Sequence, residues 1–241
     1  ESEAELFMAG DARLSGDPML LPDIQPAMTR IYRAILSNER IVVYGDFDTD
    51  GITATALMVT GLKCLGADAS PYIPHRFTEG YGLKTATLKK LAAEGVSLVV
   101  SVDCGVNAIP EVKAAAKLGL DIIVTDHHLP THELPLAVAV VNPRRVDSRY
   151  PFSALSGAGV VFKVVEALFG GMGKALPKEH FLELAALGTI ADIMPLTGEN
   201  RYFVKEGLKH LNDHPSPGLL EIINLSRLRP GQLEAESISW T

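Results

Sequence analysis

Ile41-Val42-Val43-Tyr44-Gly45-Asp46-Phe47-Asp48-Thr49-Asp50-Gly51-Ile52-Thr53 is the stretch on which the fold turns. Its first four residues form an apolar run that stops at Gly45, as a short buried strand does. Gly51 to Leu65 follows as a helix, and Gly66 is placed to end it. Just upstream, Asp23 to Glu39 carries Ile24, Ala27, Met28, Ile31, Ile35 and Leu36 at helical spacing, with Asp23 as the expected cap. The opening segment to about Pro22 reads as helix and then loop.

Downstream the alternation repeats. Ala69 to Ile73 reads as a strand, Lys84 to Glu94 as a helix closed by Gly95, and Leu98 to Val102 as a strand. Val106 to Leu118 reads as a helix closed by Gly119, followed by strands at Ile122–Val124 and Ala137–Val141. Strands alternating with helices of this length imply an α/β fold, a parallel sheet with helices on both faces. After Asn142-Pro143 the pattern becomes helical: Gly157 to Phe169, Glu179 to Thr189, Tyr202 to Asn212 and Gly218 to Leu225, with Gly170 to Gly173 as a loop. Leu228 to Thr241 has no strong period. The expected organisation is an α/β core over residues 1–150 and a helical extension over 151–241.

The chain has 241 residues, of which 47% are hydrophobic and 21% charged, so it can bury a core and is not a disordered chain. Its formal net charge of −7 excludes bulk attraction to a polyanion as the main binding device. Nucleic acid would need a local basic groove or bound metal. Cys64 and Cys104 make no disulfide framework and no cysteine-rich zinc site, which suits a reducing cytoplasm. No apolar run reaches the ~20 residues of a membrane span. The acidic opening Glu1-Ser2-Glu3-Ala4-Glu5 has no signal-peptide pattern, and the absence of an initial Met suggests a trimmed piece.

Ligands of open parallel sheets bind beyond the carboxyl ends of the strands. There the sequence places Asp46, Asp48 and Asp50 after the first strand, Asp103-Cys104-Gly105 after the Leu98–Val102 strand, and Asp126-His127-His128 after the Ile122–Val124 strand. Asp192 adds a carboxylate at a helix end. Clustered carboxylates repel one another unless a cation neutralises them. Oxygen-rich sites with one or two imidazoles suit Mn²⁺, Mg²⁺ or Zn²⁺. A carboxylate able to bridge suits two metals ~3.5–4 Å apart, the arrangement that serves phosphoester hydrolysis. Taken singly, each piece has a plainer reading: Asp48-x-Asp50 as a turn and helix cap, Asp103 as a loop residue, one of the adjacent histidines as structural. Their convergence on one rim favours the metal site.

Together these residues resemble the DHH phosphoesterase superfamily, and within it the RecJ-like single-strand exonucleases. The matching pieces, in the family's order, are Val43 to Thr53, Val102-Asp103-Cys104-Gly105, Thr125-Asp126-His127-His128 and Gly188 to Leu196. Ile73-Pro74-His75-Arg76, Glu79 to Leu83 and Leu155 to Gly159 resemble stretches particular to the RecJ-like group. The resemblance implies Asp48, Asp50, Asp103, His127 and Asp192 as metal ligands, with Asp103 bridging, and Asp46 as a further ligand or an orienting residue beside them. It implies His128 against the scissile phosphate or leaving oxygen, and Asp126 orienting an imidazole through its ring N–H. Some members have a His where this chain has Tyr44, which would thin the ligand set of one metal.

The implied cofactors are two divalent ions, Mn²⁺ first and Mg²⁺ second. The implied reaction is phosphodiester hydrolysis in single-stranded DNA, from the 5′ end, in repair and recombination. A single-strand-binding protein and a helicase are the expected partners, with no membrane. Arg76 is a candidate phosphate clamp, with pairing to Glu79 as the alternative. Ser156, Gly157 and Gly159 open a helix and are candidate phosphate contacts, with close packing under a Ser cap as the alternative. Cys104 reads as a small buried neighbour of Asp103, and His75, His132, His180, His210 and His214 as surface or structural.

Relatives of this kind continue into a second, Gly- and His-rich substrate-binding domain, which this sequence does not contain. Three other functions compete: a phosphodiesterase for short oligonucleotides or cyclic dinucleotides (or a pyrophosphatase), a catalytically dead module of a replication or repair assembly, and a Rossmann-type nucleotide binder. Against them stand the RecJ-like Ile73–Leu83 stretch, the complete set of motifs, and the lack of Gly-x-Gly-x-x-Gly after the first strand.

Overall fold

A computed structural model of the chain describes residues 3–239, so Glu1-Ser2 and Trp240-Thr241, the outermost parts of the opening and final segments, lie outside the described residues. Its centre is a five-stranded parallel sheet in the order β2-β1-β3-β4-β5. The strands are β1 (Arg40–Tyr44), β2 (Asp68–Tyr72), β3 (Val96–Val102), β4 (Asp121–Thr125) and β5 (Ala139–Val141). The chain leaves β1 towards β2 and returns to β3 on the opposite side of β1. The point between β1 and β3 is where such sheets open a crevice at their carboxyl ends.

Helices cover both faces, as the apolar strands require. Ile41, Val43, Leu98, Val100 and Val102 point to a core closed by α2 (Ile24–Leu36), α3 (Thr49–Cys64) and α6 (Gly157–Gly171). Val42, Tyr44, Val99, Ile122 and Val124 point the other way, to α4 (Thr85–Ala93) and α5 (Ile109–Lys117). Next come α7 (Lys178–Ala191), α8 (Gly198–Asp213), α9 (Pro217–Leu225) and α10 (Ala235–Ser239). Phe162, Phe181 and Phe203 of the helical segment share the first core with the sheet.

Several elements depart from the sequence reading. The opening forms the expected helix, α1 (Glu3–Ala9), but 3-10 turns at Ala12–Leu14 and Pro18–Leu20 stand where a loop was expected. Asp23 does not cap α2 with its side chain: it sits at φ 53°, and its Oδ2 accepts from Val140 N–H at 3.0 Å and Arg145 Nη1 at 2.5 Å. The carboxylate therefore ties the start of α2 to the edge of the sheet. Leu36, placed on the buried stripe by its spacing, is 81% exposed at the last position of α2. Helix α5 begins three residues late because Pro110 fits only the first turn of a helix, and in the turn before it Val106 N–H is held by Asp126 Oδ2 at 2.9 Å. Among the described residues, no helix is long and apolar enough to cross a membrane.

Candidate active site

The turn from β1 into α3 is too tight for side chains at two positions. A Cβ on Gly45 would lie 1.9 Å from Thr55 Oγ1, and one on Gly51 would lie 2.6 Å from Asp46 Cβ. This tightness brings three carboxylates to one rim. Asp48 does cap α3, accepting from Gly51 N–H at 2.9 Å, but it also groups with Asp46 and Asp103 at metal-ligand spacing. Capping and ligation are compatible, because a carboxylate has two oxygens.

Asp50 is buried at the start of α3. Its two oxygens accept the N–H groups of Gly157 (2.6 Å) and Ala158 (2.9 Å), the free end of α6. The Gly159 N–H goes to Ser156 Oγ at 3.1 Å, and Ser156 Oγ also meets Thr189 Oγ1 at 3.2 Å. Ser156, Gly157 and Gly159, the candidate phosphate contacts, are thus engaged within the protein. The helix end satisfies its N–H groups on the protein's own carboxylate and cap, as close packing under a Ser cap requires.

Asp103 leaves β3 at φ 60°, a left-handed conformation that Asp tolerates better than most residues. A Cβ on Gly157 would lie 2.5 Å from Asp103 Oδ1, and one on Gly188 would lie 2.4 Å from Asp50 Oδ1. These glycines let backbone approach the carboxylates. His127, from the end of β4, places Nε2 3.1 Å from Asp103 Oδ1, 3.6 Å from Asp192 Oδ2 and 3.9 Å from Asp50 Oδ2. Asp192 caps the C-terminus of α7.

Asp103 Oδ1 and both ring nitrogens of His127 are buried without a hydrogen-bond partner. Burial raises Asp103, Asp50, Asp46 and Asp192 above the usual carboxylate range. Neighbouring carboxylates push each the same way. A buried polar atom without a partner is costly. Crowded carboxylates around an unpaired imidazole make a donor set that a divalent cation satisfies, and the residues therefore fit such a group.

His128 is organised differently. Its Nδ1 lies 2.8 Å from Asp126 Oδ1. Asp126 is itself buried and accepts from the N–H groups of Val106, His127 and His128. Burial opposes ionisation of Asp126, but the His128 contact and these N–H groups outweigh it and hold the carboxyl below its usual range. The Asp126 hydrogen bond in turn lifts His128 to about 9 against the effect of burial. Tyr81 stands edge-on to His128, ring centroids 5.9 Å apart. Neither its contact nor the clearance roles of Gly157 and Gly188 was read from the sequence; small residues beside the acidic motifs were the available signal.

Arg76 is exposed, with its guanidinium 5.0 Å over the Phe47 ring at the same rim. Glu79, the alternative partner, instead accepts from Tyr72 OH and His75 N–H. Tyr44 turns its ring into the opposite core, donating to Gly82 C=O at 3.1 Å, so it contributes nothing to the rim. Cys104 is buried there as expected.

A family model described as the DHH family, N-terminal domain, matches residues 40–189. The single-stranded-DNA-specific exonuclease RecJ of Bacillus subtilis (strain 168) is 43% identical over 224 residues, 93% of this chain and 28% of that protein. The protein of the same name from Escherichia coli (strain K12) is 35% identical over 232 residues, 91% of this chain and 40% of that protein. Among solved structures, exonuclease RecJ bound to manganese superposes with a TM-score of 0.82 at 36% identity, covering 91% of this chain and 55% of that one. RecJ in complex with Mn²⁺ from Thermus thermophilus gives 0.77 at 33% identity, covering 91% of this chain and 31% of that one. The chain thus spans less than half the length of these curated relatives.

Proposed function

The chain belongs to the DHH family, and from that premise we propose that it is the metal-bearing part of an exonuclease that hydrolyses phosphodiester bonds in single-stranded DNA. The carrying observation is the buried, unpartnered pair Asp103 Oδ1 and His127 Nε2, 3.1 Å apart and ringed by Asp46, Asp48, Asp50 and Asp192. Those six residues would hold two divalent ions, Mn²⁺ or Mg²⁺. Such ions supply charge stabilisation at phosphoryl oxygens and an activated water at neutral pH.

The chain's own residues do the positioning. The N-terminus of α6 holds Asp50 through two N–H groups, so that ligand is oriented before any cation arrives. Asp126 holds Nδ1 of His128, which leaves Nε2 to meet a phosphate oxygen or the leaving group. Arg76, exposed beside Phe47, is placed to take a flanking phosphate in two parallel hydrogen bonds. The net charge of −7 means that attraction for DNA is local to these cations and to Arg76.

The 5′-to-3′ direction, the role in repair and recombination, the cytoplasmic location, and the single-strand-binding and helicase partners belong to the same proposal and rest on family likeness. So does a functional division near residue 150: residues 1–150 carry most of the ligands, and 151–241 add Asp192 and lead towards a second domain that completes the DNA groove.

Titration calorimetry with Mn²⁺ on the chain and on Asp103→Asn tests the centre, since Asn keeps the left-handed backbone. Binding should be strong in the parent and largely lost in the variant. Adding 5′-phosphorylated single-stranded DNA to the same samples then reads cleavage. A folded parent that binds no Mn²⁺ would sink the metal assignment and favour a dead binding module.

A further inference from the structure

A second group of metal-binding side chains meets where α7 packs on α8, away from the strand-end rim. His180 and Glu183 stand three residues apart on α7 and so share a face, and α8 brings His210 to it. One ligand atom from each lies within 4.8 Å of the others. The two imidazoles stand edge to face with centroids 5.3 Å apart. The Glu183 carboxylate is 1% exposed, and its Oε1 lies 2.5 Å from His210 Nδ1. Ser216 N–H, just before α9, donates to the same oxygen at 3.1 Å. The carboxylate is therefore fixed by two other segments, while exposed His180 opens the group to solvent.

We propose that His180, Glu183 and His210 form a zinc site that clamps α7 to α8. Two imidazoles and one carboxylate are a donor set that Zn²⁺ accepts, with water completing a tetrahedron. Mg²⁺ and Mn²⁺ prefer oxygen ligands, so this nitrogen-rich group favours Zn²⁺ over them. The Glu183–His210 contact alone is a hydrogen-bonded staple, and His180 adds to it a third donor atom within ligand reach. The clamp would steady α7, whose far end carries Asp192. It stands independently of the reaction proposed for the rim.

Equilibrium dialysis against Zn²⁺ with metal analysis, on the chain and on His180→Ala, tests the clamp. The parent should retain one more equivalent of Zn²⁺ than His180→Ala, and Glu183→Gln should weaken that equivalent about tenfold or more. Co²⁺ in place of Zn²⁺ should give the visible absorption of a four-coordinate nitrogen and oxygen site in the parent, and that band should vanish in His180→Ala. His180 is exposed, so the variant should keep its helical circular dichroism and its Mn²⁺ binding at the rim. Equal Zn²⁺ content in parent and His180→Ala would overturn the proposal. So would a parallel fall in Mn²⁺ binding, since the lost ion would then be the rim's.

Discussion

Gly157 has no room for a side chain: the place a Cβ would occupy lies 2.5 Å from Asp103 Oδ1 and 2.6 Å from Asp103 Cβ. Both neighbours belong to a buried residue at φ 60° that has little freedom to move aside. Gly157→Ala should therefore displace Asp103, at a stability cost of about 1–3 kcal/mol typical of overpacking. Mn²⁺ affinity should fall with it, and calorimetry that finds affinity unchanged would mean that Asp103 is not a ligand. At this scale Asp48, Asp50, Asp103, His127 and Asp192 were legible as a group, because each follows a strand or ends a helix. The glycines' purpose was not legible, since clearance is a property of two segments that meet only after folding.

The start of α6 shows how one element serves another. Its N–H groups need acceptors, and Asp50 and Ser156 supply them. Ser156→Ala removes the cap on Gly159 N–H and should lower stability by about 1 kcal/mol, read as a fall in Tm. An unchanged Tm would mean that the cap contributes nothing measurable. Strands β1, β3 and β4 were legible because sheet strands covered on both faces are continuously apolar. The start of α5 was read three residues early because apolar spacing carried the helix back past Pro110, which fits only a first turn. Asp23 looked like a cap because local sequence favours it, whereas the distant partners Val140 and Arg145 claim the side chain.

Across the whole molecule, a buried charge network joins the opening segment to the helical half. Lys163, fully buried on α6, contacts Glu166 and lies 3.3 Å from Glu199 Oε1 on α8. Glu199 also accepts from Ser15 Oγ at 2.8 Å and Tyr150 OH at 2.5 Å. Lys178 meets Glu166 at 2.7 Å. Burial disfavours ionised Glu166, but Lys163 and Lys178 outweigh it and hold its carboxyl below the usual 4.5. A lowered folded-state pKa gives stability that is present above 4.5 and lost as pH falls through the folded value. Glu166→Gln should thus be less stable than the parent at neutral pH, with the gap narrowing below pH 4.5. Thermal melts whose gap is constant with pH would show that Glu166 is not linked to folding in this way.

By itself, the sequence determined the parallel α/β class, the approximate strands, and the acidic, imidazole-bearing strand ends, because these follow from short-range periodicity and from the rule that ligands gather at carboxyl ends. Only the tertiary structure decided that the α6 end cradles Asp50, that Arg76 lies over Phe47 instead of pairing with Glu79, and that His180 and His210 come together. Each of those depends on the packing of segments distant in sequence, where the partner a polar group finds is set by what folding brings within hydrogen-bond reach.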